Sequence, residues 1–61
     1  MIVFEGDFIK CFNRPGYFEV VEIIDSMRVR LSNNRIVPAD WDYGVIEDLK
    51  SADEYNEEKL S

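Results

Sequence analysis

Few side chains in this 61-residue sequence are equipped for covalent or acid–base chemistry. Histidine is absent, so no side chain titrates near neutral pH without a displaced pKa. Cys11 is the one cysteine; it lies in an alternating apolar segment with no neighbouring base to generate a thiolate. Carboxylates occur in close pairs, Asp40 with Asp42 and Glu47 with Asp48, but adjacent acids on an exposed segment are ordinarily just solvated. There is no calcium-loop spacing, too few ligands for zinc, and no glycine-rich phosphate loop. The expectation is a protein that is not an enzyme, with no cofactor and no metal site.

Side chains suited to recognition are better represented. Phe12, Arg14 and Tyr17 flank Pro15-Gly16, and Trp41 and Tyr43 sit in the segment ADWDYG. Aromatics and arginine dominate interface hot spots, so these five residues form the first candidate binding site. The plainer alternative is that Trp41 and Tyr43 cap the open end of a small fold, because aromatics supply most of the burial available to one. Arg28, Arg30 and Arg35 form the second candidate. They could meet phosphate or carboxylate groups, or simply pair with Glu19, Glu22 or the acidic C-terminal residues, an arrangement that contributes little when exposed.

Charge divides the chain. The net charge is −6. Acids and bases balance over residues 1–38, and the whole excess of negative charge falls from Ala39 onward. Tight phosphate binding relies on clustered Lys and Arg that release counterions, so the balance argues against nucleic acid as a partner without closing that route for the arginine patch. The acidic end is either a solubilising tail, an interaction segment, or a mimic of nucleic-acid phosphates. The apolar runs are too short to span a bilayer or to form a signal-peptide core. With no possible internal disulfide, the default is a reduced, cytoplasmic setting.

Those side chains need elements to position them. Residues 17–37 carry most of the apolar pattern and read as three antiparallel strands. Before them, Phe8 to Phe12 alternates; Ile9 and Cys11 are expected inward, because a thiol packs as a small hydrophobe while Lys10 needs water. Phe8 and Phe12 would then be half covered or exposed. Pro15-Gly16 is a turn dipeptide. Over residues 17–25 the alternation breaks mid-way, as in a strand that is bulged and serves two halves of a small barrel. Met27, Val29 and Leu31 should face inward and Arg28 and Arg30 outward. Asn33-Asn34 suits a two-residue hairpin loop that pairs Leu31 with Ile36. Pro38 ends the next strand, ADWDYG has the pattern of a single helical turn or a tight loop, and residues 45–49 form a last strand, although Val45, Leu49 and Ala52 also have helical spacing. Ser51-Ala-Asp-Glu54 is a capping box. With Tyr55 and Leu60 as its only large apolar groups, the segment after it is expected to be a frayed tail or a short helix.

Taken together, Gly6, Asp7, Ile9 and Cys11 in the opening strand, the Pro-Gly loop, a long bent strand, a tight hairpin and a short turn before a last strand resemble a small barrel of the SH3 kind, an architecture shared with Tudor and KOW modules and with many bacterial and phage proteins. The likeness covers residues 5–49. It departs from signalling SH3 domains, which carry an acidic loop and paired tryptophans, and from KOW modules, which are more basic. What the resemblance implies is an all-β fold of about five short antiparallel strands, with residues 1–50 as the barrel, and two neighbouring loops whose aromatics line a groove for peptides or methylated side chains; the residue pattern itself sets 51–61 apart as an acidic tail, frayed or in a short helix. A fold of this kind transfers no function by itself. The expected activity is therefore non-catalytic binding of another protein, a second copy of the chain included. Nucleic-acid binding through Arg28, Arg30 and Arg35 and mimicry by the acidic end stand as alternatives.

Overall fold

Alternation and turn chemistry produce the predicted strands. The structure, a computed structural model, describes residues 2–60; Met1 and Ser61, the outer limits of the expected barrel and tail, lie outside the described residues. Five antiparallel strands, β1 (Phe8–Cys11), β2 (Tyr17–Ile23), β3 (Arg28–Leu31), β4 (Ile36–Pro38) and β5 (Ile46–Lys50), form one sheet in the order β4-β3-β2-β1-β5. A single 3-10 turn, Trp41–Tyr43, precedes β5, and helix α1 (Ala52–Leu60) follows it.

The broken alternation in β2 is a bulge. Val20 pairs with Leu31 and Glu22 with Arg30, so the register shifts by one residue at Val21. Phe18 and Val20 face the core before the bulge; after it Ile23 pairs with buried Val29 but is itself 38% exposed. One extra residue lets a single strand serve both halves of the sheet. Ile9, Cys11 and Ile46 from β1 and β5 then share a cluster with Val20, Val29, Leu31, Val37 and Ala39. Ile9, Leu31, Ile46, Val20 and Val29 are the largest side chains fully buried in it. Each such side chain stabilises the fold by about 1.5–3 kcal/mol through burial, which makes these five the main source of stability in a domain this small. A radius of gyration of 10.8 Å matches the roughly 10.5 Å of a packed chain of this length.

Two local expectations are corrected. Met27 does not face inward: it is 41% exposed. It belongs to the turn, with its N–H donated to Asp25 Oδ1 (2.8 Å) and its C=O taken by the Ala39 N–H (2.8 Å), so inward alternation starts only at Val29. Leu31 does not pair with Ile36 either; Ile36 lies opposite Arg30, and Leu31 donates its N–H to Arg35 O (2.8 Å). The loop has three residues, closed by Asn34 N–H to Leu31 O (2.9 Å), and only Asn34 takes a left-handed conformation, φ 69°. This is the three-residue hairpin with one left-handed position, rather than the two-residue form that needs two.

The acidic end forms α1. Glu54 N–H donates to Ser51 Oγ (3.2 Å) and the Ser51 hydroxyl to Glu54 Oε1 (3.3 Å), so the cap uses both side chains. A nine-residue helix is marginal alone, and the outer face of the sheet supplies the remainder. Tyr55 stacks on Phe8 with ring centroids 3.9 Å apart and planes 11° apart. Lys50 pairs with Glu58, and Lys59 lies 4.8 Å from the Tyr55 ring.

Candidate functional site

The strand directions gather the turns at two ends of the sheet. At one end, called here the Pro-Gly end, lie the loop of residues 12–16, the hairpin of residues 32–35 and the start of β5. Phe12 donates its N–H to Val45 O (3.1 Å), Arg14 closes a turn onto Cys11 O (3.3 Å), and Ser32 donates to Glu19 O (2.8 Å), which ties the hairpin to β2. At the other end, the Asp25 end, lie residues 2–7, the turn of residues 24–27 and Ala39.

The 3-10 turn carries chain from the Asp25 end back to the Pro-Gly end. Asp40 caps it in an extended conformation, its Oδ1 accepting the Asp42 N–H at 3.0 Å, and left-handed Gly44 (φ 68°) closes it by donating to Trp41 O at 3.0 Å. Asp40 is thus occupied as a cap. Neither aromatic of the turn is buried: Trp41 is 46% exposed and Tyr43 58% exposed. Tyr43 stands two residues from Val45, the residue that accepts from Phe12, and Phe12 is 62% exposed. A short capped turn and a Pro-Gly loop thus hold three large aromatics exposed.

The fifth member of the first candidate set is elsewhere. Tyr17 points to the outer face beneath α1, where its hydroxyl donates to Asp48 Oδ2, Lys50 lies 4.9 Å from its ring, and Tyr55 is tilted against it at 5.7 Å. The hydrogen bond to Asp48 is the chief reason that the Tyr17 phenol is pushed up and the Asp48 carboxyl held down. Tyr17 serves helix docking.

The three arginines of the second set do not act together. Arg28 is held by Asp25, Nη2 at 2.8 Å and Nε at 3.1 Å from the same oxygen, and Arg30 Nη2 lies 3.1 Å from Glu22 Oε1. Arg28 sits opposite Pro38, three residues from Arg35, so along the strand their backbones are separated by roughly 10 Å. Arg35 belongs to the hairpin at the Pro-Gly end, with Arg14. The charges of Arg14, Arg35 and Lys10 all reach the Cys11 thiol and lower its pKa, but burial outweighs them and the pKa is raised overall.

Sequence reasoning missed two features. One is the grouping of Arg14 with Arg35, which needs the hairpin register. The other is a groove of mixed polar and apolar lining, about 230 Å³ in volume, at the Asp25 end, formed by Ile2, Val3, Ile23, Asp25, Ser26, Val29 and Ala39. Its only trace in the sequence is the apolar opening run. No group of acidic or thiol side chains among the described residues is arranged to hold a metal ion. No helix among them is long and apolar enough to cross a membrane.

Comparison with known proteins adds no relative: no family model matches the chain, and neither curated proteins nor solved structures give a significant match.

Proposed function

We propose that this chain is a non-catalytic binding protein that recognises another protein through the Pro-Gly end, with Phe12, Trp41 and Tyr43 as apolar anchors and Arg14 as the polar one. The observation that carries this reading is the exposure of those three aromatics, 62%, 46% and 58% respectively, on turns backed by the core. Rigid aromatics lose little conformational entropy on binding and bury large areas, and for that reason they recur as hot spots. The strand order, with one 3-10 turn before the last strand, supports an SH3-like barrel as the scaffold. The reactive groups have structural employment: Cys11 is buried with its pKa raised, Asp48 bonds Tyr17, and Glu47 pairs with Lys10 at 2.6 Å. Nucleic-acid binding by Arg28, Arg30 and Arg35 has weaker support, since Asp25 and Glu22 already hold two of the three.

The test is differential capture from a lysate of the native host on immobilised wild type, Phe12→Ala/Trp41→Ala and Tyr17→Phe. The aromatic-end variant should lose the specific partner while Tyr17→Phe, with its hydroxyl removed from the helix contact, keeps it. Equal recovery on all three would refute the assignment.

A further inference from the structure

The protein has 13 acidic and 7 basic side chains, so a carboxylate is available for every cation. Five of the seven cations are engaged. Lys10 pairs with Glu47, Arg28 with Asp25, Arg30 with Glu22 and Lys50 with Glu58, while Lys59 lies over the Tyr55 ring. Among the described residues, the guanidinium groups of Arg14 and Arg35 make neither an ion pair nor a hydrogen bond. These two are also the cations carried by the turns at the Pro-Gly end. Arg14 is bonded through its N–H to Cys11 O, next to exposed Phe12, and Arg35 through its C=O to Leu31 N–H at the head of the hairpin. Among the described residues, the two guanidinium groups without a partner therefore lie at the end that carries exposed Phe12, whereas exposed Phe4, at the other end, has no unpaired cation beside it on its turn.

We infer that the Pro-Gly end binds a short peptide segment that carries one or two carboxylates beside an aromatic or aliphatic side chain, with Arg14 and Arg35 taking the carboxylates and Phe12 and Tyr43 the apolar group. This rests on the protein-binding reading above and names its partner class. Guanidinium matches a carboxylate with paired parallel donors, a geometry that lysine lacks. The number of carboxylates is limited by the field of the whole molecule: at net charge −6, a strongly acidic ligand is repelled before it arrives. The same field disfavours nucleic acid. A polyphosphate strand gains affinity by releasing counterions from several contacts at once, and two free cations supply too few.

The experiment is an NMR titration of the 15N-labelled protein with the tripeptide N-acetyl-Glu-Phe-Glu-amide, its Gln-Phe-Gln analogue, and a twelve-residue oligothymidylate. The acidic peptide should shift the backbone signals of Phe12, Arg14, Tyr43 and Gly44 and the Nε–H signals of Arg14 and Arg35. Replacing Glu by Gln in the peptide, or Arg14→Gln/Arg35→Gln in the protein, should weaken binding roughly three- to tenfold, the effect of losing exposed charge pairs. Arg14→Lys/Arg35→Lys, which keeps the charge and discards the fork, should fall between. Three results would overturn the inference: no shift at these residues with the acidic peptide, equal affinity for the Gln analogue, or stronger binding of the oligothymidylate. If host partner capture still depends on Phe12 and Trp41 but is indifferent to both arginines, the carboxylate preference falls and the protein-binding reading stands. If capture is indifferent to the aromatics as well, both fall.

Discussion

The two ends of the sheet are closed by similar short reversals, but they use their charges in opposite ways. At the Asp25 end the polar groups are internal. Asp7 accepts the Phe4 N–H at 3.0 Å, and Asp25 accepts the Met27 N–H and holds the Arg28 guanidinium. At the Pro-Gly end the turns close through backbone bonds, with Asn33 Oδ1 accepting the Arg35 N–H at 3.0 Å, and the arginines are left unpaired. Carboxylates tied into turns contribute to folding; the guanidinium groups of half-buried Arg14 and exposed Arg35, without a partner among the described residues, contribute little to it and remain available to a ligand. The apolar groups do not divide in this way. Ile2 and Phe4, 75% and 65% exposed, lie at the Asp25 end, and Phe12, at 62%, at the Pro-Gly end.

The largest expected effect removes the support both ends share. Leu31→Ala empties a fully buried site and should cost about 2–5 kcal/mol. A domain of this size has a stability of about 3–9 kcal/mol. Urea denaturation should therefore show a much lower midpoint or an unfolded protein, with both ends lost together. Next is Tyr55→Ala, which deletes the stack on Phe8. Such a pair is worth about 0.5–1.5 kcal/mol beyond its burial, and α1 should lose helical circular dichroism while the signals of Phe12 and Arg35 stay in place. Loss of dispersion at the Pro-Gly end in that variant would show that the helix supports the site.

How much of this was legible beforehand differs between elements. Alternation over residues 8–12, the interrupted alternation of residues 17–25 and the ADWDYG turn are local patterns, and the strands, the bulge at Val21 and the capped 3-10 turn follow them. Register is not local. Asn33 and Asn34 are both tolerant of left-handed angles, so composition does not decide between a two- and a three-residue loop, and one residue of difference moved the partner of Leu31 from Ile36 to Arg35. Proximity in sequence grouped Arg35 with Arg28 and Arg30; the register leaves Arg35 beside Ile36, the partner of Arg30, and its charge, like that of Arg14, reaches Cys11. Tyr17 was misgrouped for a related reason: next to the Pro-Gly loop in sequence, it faces Asp48 and Tyr55, which lie 31 and 38 positions further along the chain. The helix was readable at its cap, Ser51 to Glu54, but not in its docking, because within α1 Tyr55 has only Ala52 as an apolar companion at helical spacing and finds its aromatic partner, Phe8, in β1.

A smaller effect separates the ends by charge. Asp25→Ala should lower the Tm by removing the Met27 N–H and Arg28 contacts, while Arg35→Gln should leave it unchanged within the scatter of surface substitutions. A matching pH dependence is expected. Asp25 is held low by the Met27 N–H and by Arg28, and Asp48 by the Tyr17 hydroxyl and by the Leu49 N–H. Their contributions are complete above the ordinary carboxyl value of about 4 and are lost as pH falls through the depressed values. Tyr17 is raised by its bond to Asp48, and Lys50 by Glu58. Theirs are complete below about pH 10 and are lost as pH rises through the raised values. Thermal melts should show a plateau between these limits, with Asp25→Ala shrinking only the acid-side loss.

The most direct measurement of the central claim compares the two ends as binding surfaces in one protein. Partner capture and the acidic-peptide titration would be run on Arg14→Gln/Arg35→Gln/Trp41→Ala, altered around the Pro-Gly end, and on Ile2→Ser/Ile23→Ser, altered at the groove, each first verified to melt cooperatively. The prediction is loss of both partner and peptide in the first variant and retention of both in the second. Retention in the first and loss in the second would contradict the account and move the binding surface to the groove at the Asp25 end.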